Sequence, residues 1–532
     1  MRKLLLLLFF AINASIVNAQ DFNYKVELVP QNIPNLFGVQ AFAHAEYLNN
    51  YLIIGGRLDG LHRRQPNASF DIAGHNNQIL IINPIENTSF AKSLSTLPIS
   101  IREQLSSTNM QYHQEGNILY LIGGYGYSTD SADHITFPYL TAIKIDELVN
   151  AIKNNTSINN CFRQIHDEQF AVTGAHLKKI YNTYYLVGGQ RFDGRYNPMM
   201  HATFVQNYTN AYLKFNIVDN GSTIQIINKQ SVVDSSELHR RDYNVIPQIT
   251  KNREEGVIAF SGVFQTQADI PYLNSVSIDS SGYYANPNFS QYYNHYHCAT
   301  IPLYDSAKNE MHNLFFGGIA QYYDSAGILI QDNNAPFVKT IARVSRDANG
   351  NLAEYKLLNE MPGYLGAGAE FLINQNISTY KNDVIKLNKL NGDTMLLGYI
   401  FGGINSPSKN IFWINDGTQS TASNVFYKVL LTKSSGTSGI LNKQSTNKLQ
   451  LQIYPNPNEG KFHLVFNLES KQNIDITIYN ENGKVVCERI ITDAEIGENR
   501  YRIEENKLKQ PGLYLIKLKI GNNEIVQKII VE

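Results

Sequence analysis

Two short stretches of this chain are near copies of each other, and each sets an arginine two residues before an aspartate behind a pair of glycines. Gly55-Gly56-Arg57-Leu58-Asp59-Gly60 is followed by His62, and Gly188-Gly189-Gln190-Arg191-Phe192-Asp193-Gly194 is followed by Arg195. An arginine fork grips a carboxylate through parallel hydrogen bonds, and an aspartate accepts from hydroxyl donors. Tyr125 and Tyr322 follow two further glycine pairs, and their ring faces are stacking surfaces. Arg57, Asp59, His62, Arg191, Asp193, Arg195, Tyr125 and Tyr322 are therefore the expected ligand-binding set, suited to a sugar or an acidic sugar. The competing reading makes each Asp-Gly a turn, pairs each arginine with its own aspartate at little energetic gain, and packs the tyrosines between elements.

A second constellation is Tyr292-Tyr293-Asn294-His295-Tyr296-His297-Cys298. In an extended strand the side chains alternate, which places His295 and His297 on one face, and two imidazoles on one face can bind a transition metal. Satisfied polar residues lining a channel are the alternative. His44, His113 and His176 stand in or just before three short apolar segments of similar position, and Glu370 stands in a fourth. Inward-pointing copies would ring a central channel, where histidine or a buried glutamate can act as general acid or base. No nucleophile-base-orienter pattern, phosphate loop or zinc motif accompanies them. The cofactor therefore stays unknown, and the balance leans away from an enzyme.

These residues hang on a repeat. A short apolar run ending in two small residues occurs six times, closing at Gly55-Gly56, Gly123-Gly124, Gly188-Gly189, Ser261-Gly262, Gly317-Gly318 and Gly402-Gly403. Four or five apolar residues bounded by glycines read as a strand buried on both faces, because a helix needs more length to offset its nucleation. Another apolar or aromatic segment lies upstream of each run and an alternating one downstream, as in Ala211-Tyr-Leu-Lys-Phe215.

Strand, strand ending in Gly-Gly, long loop, strand and final strand resembles the blade of a kelch-type β-propeller over residues 24 to 433. The resemblance implies an all-β fold with six blades, at intervals longer than the roughly 50 residues of a kelch repeat. The sixth unit lacks a final strand after Val425 to Leu431, and Asn23-Tyr-Lys-Val-Glu-Leu-Val29 is expected to supply it and close the ring. Kelch propellers include N-acetylneuraminate epimerases and copper radical oxidases, so a sugar-directed enzyme is the alternative to a carbohydrate-binding protein; a protein-interaction scaffold is a third reading.

The remaining segments concern export. Met1-Arg2-Lys3, an apolar block from Leu4 to Ile12 and Val17-Asn18-Ala19 have the order of a signal peptide, expected to end at residue 19. The propeller is expected over 20–433, a Ser/Gly/Lys-rich linker over 434–448, and a small β-sandwich over 449–532. Tyr454-Pro-Asn-Pro-Asn-Glu-Gly460, Ile474 to Lys484, Pro511 to Ile516 and Lys528 to Val531 together resemble the C-terminal sorting domain of type IX secretion. That resemblance implies the secretion machinery as a partner and a secreted or outer-surface location in a Gram-negative bacterium.

With 45 basic and 46 acidic residues there is no positive field to attract nucleic acid. No apolar stretch after the signal segment approaches the roughly 20 residues of a membrane-spanning helix. The 3 cysteines, Cys161, Cys298 and Cys487, lie far apart and exclude a disulfide scaffold.

Overall fold

The computed structural model describes residues 22–63, 69–197, 203–325, 328–412, 414–434, 439–441, 451–454, 456–468, 470–504, 508, 510–521 and 523–532. The expected signal peptide and most of the expected linker lie outside them.

Six antiparallel units of four strands follow one another. Unit one comprises Ala43–Tyr47, Asn50–Ile54, Gln78–Asn83 and Thr88–Ser93; unit two comprises Gln111–Glu115, Ile118–Ile122, Tyr139–Lys144 and Phe162–His166. Units three to five begin at His176–Ile180, Asn244–Ile249 and Thr300–Asp305. Unit six is assembled from both ends of this region: Ala369–Ile373, Thr394–Gly402 and Phe426–Lys433 are completed by Tyr24–Gln31, which pairs antiparallel with Phe426–Lys433.

The second strands carry the glycine-terminated runs, and Asn50–Ile54 is buried at every position. The glycines are needed where strand turns into loop. Gly123 has φ 67°, and a Cβ there would lie 1.9 Å from the Val172 carbonyl oxygen. The fourth copy accommodates Ser261 at φ 52° because its hydroxyl donates to the Tyr272 carbonyl at 2.6 Å.

Apolar clusters join each unit to the next. Leu52 and Ile81 of unit one pack with Leu119 and Leu121 of unit two, and Ile122 and Leu140 with Leu186 and Phe215 of unit three. Val187 packs with Val245 and Val257, Phe260 with Phe315, and Leu314 with Leu397 and Val429. Leu372 and Phe401 of unit six then pack with Ile53 and Leu80 of unit one. The backbone repeats this cycle just before each first strand. The amide of Ala41 donates to Gly368, Gly368 to His297, His297 to Asp242, Asp242 to Gly174, Gly174 to Asn109 and Asn109 to Ala41, at 2.8 to 3.4 Å. Five of the six (Ala41, Asn109, Gly174, Asp242 and Gly368) have positive φ, which turns each amide toward its neighbouring unit.

The C-terminal region is two sheets on one core. Gln452–Tyr454, Lys461–Leu468 and Gly497–Glu504 form one; Asn523–Val531, Gly512–Ile520, Gln472–Asn480 and Val485–Ala494 form the other. Phe462, Leu464, Ile476, Ile516 and Leu518 fill the space between them. Among the described residues no helix is long and apolar enough to cross a membrane, and Cys161 and Cys298 are buried thiols.

Candidate functional site

The hydrogen-bonded cycle rims a cavity of about 60 Å³ to which all six units contribute. Phe42, Tyr112, His176, Lys178, Asp242, Asn244, His297 and Glu370 are among its lining residues. At about 10–15 Å³ per water, it holds a few waters or one polar end of a larger molecule.

His297 and Glu370 meet in it, Nε2 to Oε1 at 3.1 Å. Burial alone lowers a histidine and raises a glutamate. Here the opposite charges prevail. The Glu370 charge and hydrogen bond, aided by Asp242, hold His297 above its ordinary value. His297, with His44 and His176, holds Glu370 below its own. His176 stands edge-on to His297 with ring centroids 5.4 Å apart, yet burial lowers it to about 3. Its Nε2 lies 2.6 Å from the Tyr243 carbonyl and donates to it. The cavity thus sets side by side an imidazole whose surroundings favour its proton and one whose burial favours the neutral form, together with a carboxylate. Burial also lowers the buried Lys178 amine, against the pull of Glu370 and Asp383.

The other channel candidates are placed differently. His44 lies behind Tyr112, with ring centroids 5.0 Å apart, and burial lowers it to about 4. His113 faces away, edge-on to Tyr184 of unit three at 5.6 Å; Tyr112, on the opposite face of the same strand, takes the cavity position. Tyr112, Lys178 and Asp242 were not among the sequence candidates. Strand alternation from His176 reaches Lys178, whereas nothing in the sequence separates His113 from Tyr112.

His295 and His297 do not share a face. The first strand of unit five begins only at Thr300, and the chain bends at Tyr296 and His297 instead of running extended. Both ring nitrogens of His295 are engaged by backbone, Nε2 with the Gln291 carbonyl at 2.8 Å and Nδ1 with the Gln321 amide at 3.0 Å. Tyr322 packs edge-on to His295 and to Tyr292. Among the described residues no group of three or more His, Cys, Asp and Glu side chains is arranged to hold a metal.

The glycine-pair loops pack on one another. Arg57 is buried, with Nε donating to Asp59 at 2.8 Å and its guanidinium over Phe70. Arg191 is exposed and pairs with Asp193 at 2.7 Å and Glu168 at 2.8 Å. Arg195 reaches unit one, where it pairs with Asp71 and donates to the Ser69 carbonyl. His62 stands edge-on to Tyr196 and to Phe412, and the Tyr125 hydroxyl donates to the Gly194 carbonyl at 2.8 Å. These residues knit the loops of units one, two, three and six together.

The fold and cavity define an all-β protein with a polar site at the meeting point of six repeated units. Residues 452–532 match the family described as "Secretion system C-terminal sorting domain", which marks the chain for type IX secretion to the outside or the cell surface. No curated protein matches the chain. Among solved structures it is similar to one described as "Structure of YjhT", at 9% identity and TM-score 0.41, covering 76% of this chain and 99% of that one. It is also similar to a glycoside hydrolase family 43 arabinoxylan arabinofuranohydrolase from Bacillus subtilis in complex with cellotetraose, at 8% identity and TM-score 0.25, covering 94% of this chain and 96% of that one.

Proposed function

We propose that this exported protein is a six-bladed, kelch-like β-propeller of a Gram-negative bacterium that binds a carbohydrate at the mouth of its central channel. The cyclic packing of the six units and the pairing of Tyr24–Gln31 with Phe426–Lys433 support the ring. The observation that carries the binding role is the convergence of His176, Lys178, Asp242, His297 and Glu370 on one small cavity. Such a set alternates hydrogen-bond donors and acceptors, as a polyhydroxylated ligand requires. The cavity takes one end of the ligand. Arg57, Asp59, His62, Tyr125, Arg191, Asp193, Arg195 and Tyr322 lie outside the cavity lining, and in this reading their loops frame the approach to it.

A glycan array probed with the full-length protein tests this reading. Saturable binding that Glu370→Gln or Lys178→Met abolishes in a folded protein is the expected result. A blank array on folded protein overturns it and favours a protein partner. The opposite shifts of His297, raised, and His176, lowered, favour a second reading, a sugar-directed enzyme using the pair as acid and base. Catalysed proton exchange on a bound sugar, lost in His176→Ala, would establish it.

A further inference from the structure

The sorting domain is not merely tethered. Its edge strand Asn523–Val531 is extended in parallel by Ile328–Gln331, the second strand of a hairpin in the long loop of unit five. Ile330 lies opposite Val526 and Gln331 opposite Gln527. All four residues are buried, Gln527 to 1% exposure. Residues 439–441, between the two regions, add antiparallel to Leu352–Glu360, the fourth strand of the same unit. The hairpin is itself anchored on the propeller: Lys356 pairs with Asp324 at 3.2 Å, and Asn410 donates to Asp332 at 2.9 Å.

A strand at the edge of a small sheet is a template for wrong pairing unless something covers it. The cover here comes from a loop between the second and third strands of unit five, so it takes its shape only when that unit has folded. We infer that unit five is the seat of the chain's own sorting domain, held by strand addition, so that the 523–531 edge is covered only on a folded cargo. Machinery reading the tail of a folded chain then meets a sheet whose open edge is Val485–Ala494, where Ile490 is exposed.

Cysteine pairs in the full-length chain carrying Cys487→Ser test the seat. Gln331→Cys with Gln527→Cys is expected to oxidise within one chain at least about tenfold faster than Gln331→Cys with Lys484→Cys, because seating raises the effective concentration of only the first pair. Lys519→Cys with Glu524→Cys, neighbours inside the sorting domain, reports that the domain is folded. Equal rates for the first two pairs, or a disulfide joining two chains, overturn the inference. Hydrogen exchange on the unsubstituted chain gives an independent reading. Residues 524–528 are expected to exchange as slowly as 514–518, and exchange at the rate of 487–491 overturns it.

Discussion

The amide of Ala41 donates to the carbonyl of Gly368 at 2.8 Å, and that bond closes a six-membered backbone cycle running through every unit. Two residues near opposite ends of the repeat region are thereby fixed above the cavity that holds His176, His297 and Glu370. The site exists only where the first and sixth units meet as the other neighbours do.

Gly123 should tolerate no side chain. Gly123→Ala combines a left-handed backbone with a Cβ 1.9 Å from a carbonyl oxygen, and the loss is expected to reach about 3 kcal/mol or more. Urea unfolding of the variant checks this; a loss below about 1 kcal/mol would contradict the packing described.

Acid should weaken the fold through its many buried histidines, against the opposite trend of Glu46 and Glu354, which burial raises to about 8. Burial lowers His75 to about 3 and both His134 and His295 to about 4, and all three residues are buried. Their folded values lie below the unfolded value of 6.5, so the stability they contribute is present above that pH and lost as pH falls toward 4. Each histidine adds a slope of about 1.4 kcal/mol per pH unit in that window. Denaturant midpoints measured from pH 7.5 to 4.5 should fall steeply, and a flat profile would show these imidazoles already protonated in the folded protein.

Within the ion pair the signs oppose each other. The raised His297 contributes stability that is full below 6.5 and lost as pH rises through its folded value; the depressed Glu370 contributes above 4.5 and loses it as pH falls. Glu370→Gln removes the charge that holds His297 up, leaving burial to dominate. Imidazole NMR should then show His297 titrating below 6.5, and an unchanged titration would mean another group holds its proton.

The loop arginines should separate sharply. The Arg57 side chain is 3% exposed and that of Arg191 is 45% exposed. Arg57→Ala empties a buried site and leaves Asp59, 39% exposed, to water, with an expected cost of about 2 kcal/mol from lost packing. Arg191→Ala should stay within about 0.5 kcal/mol. Equal thermal shifts in the two variants would refute the difference in role.

The sequence by itself carried whatever is local and repeated. The glycine-terminated runs marked the second strands because their burial and sharp exits depend on neighbouring residues alone. The sorting-domain motifs marked the tail because strand alternation and turn residues are written in order. The arginine–aspartate pairs of the loops lie two residues apart, so their pairing was legible too. What crosses between units was not. Arg195 meets Asp71 because the loops of units three and one fold over the same face. Tyr112 rather than His113 reaches the cavity because strand register decides which of two adjacent side chains faces it, and composition is silent on register. His295 and His297 part because the chain bends at Tyr296 and His297 instead of running as a strand. The proton balance of His176, His297 and Glu370 follows from distances among three units, and only the closed packing of the chain sets those distances.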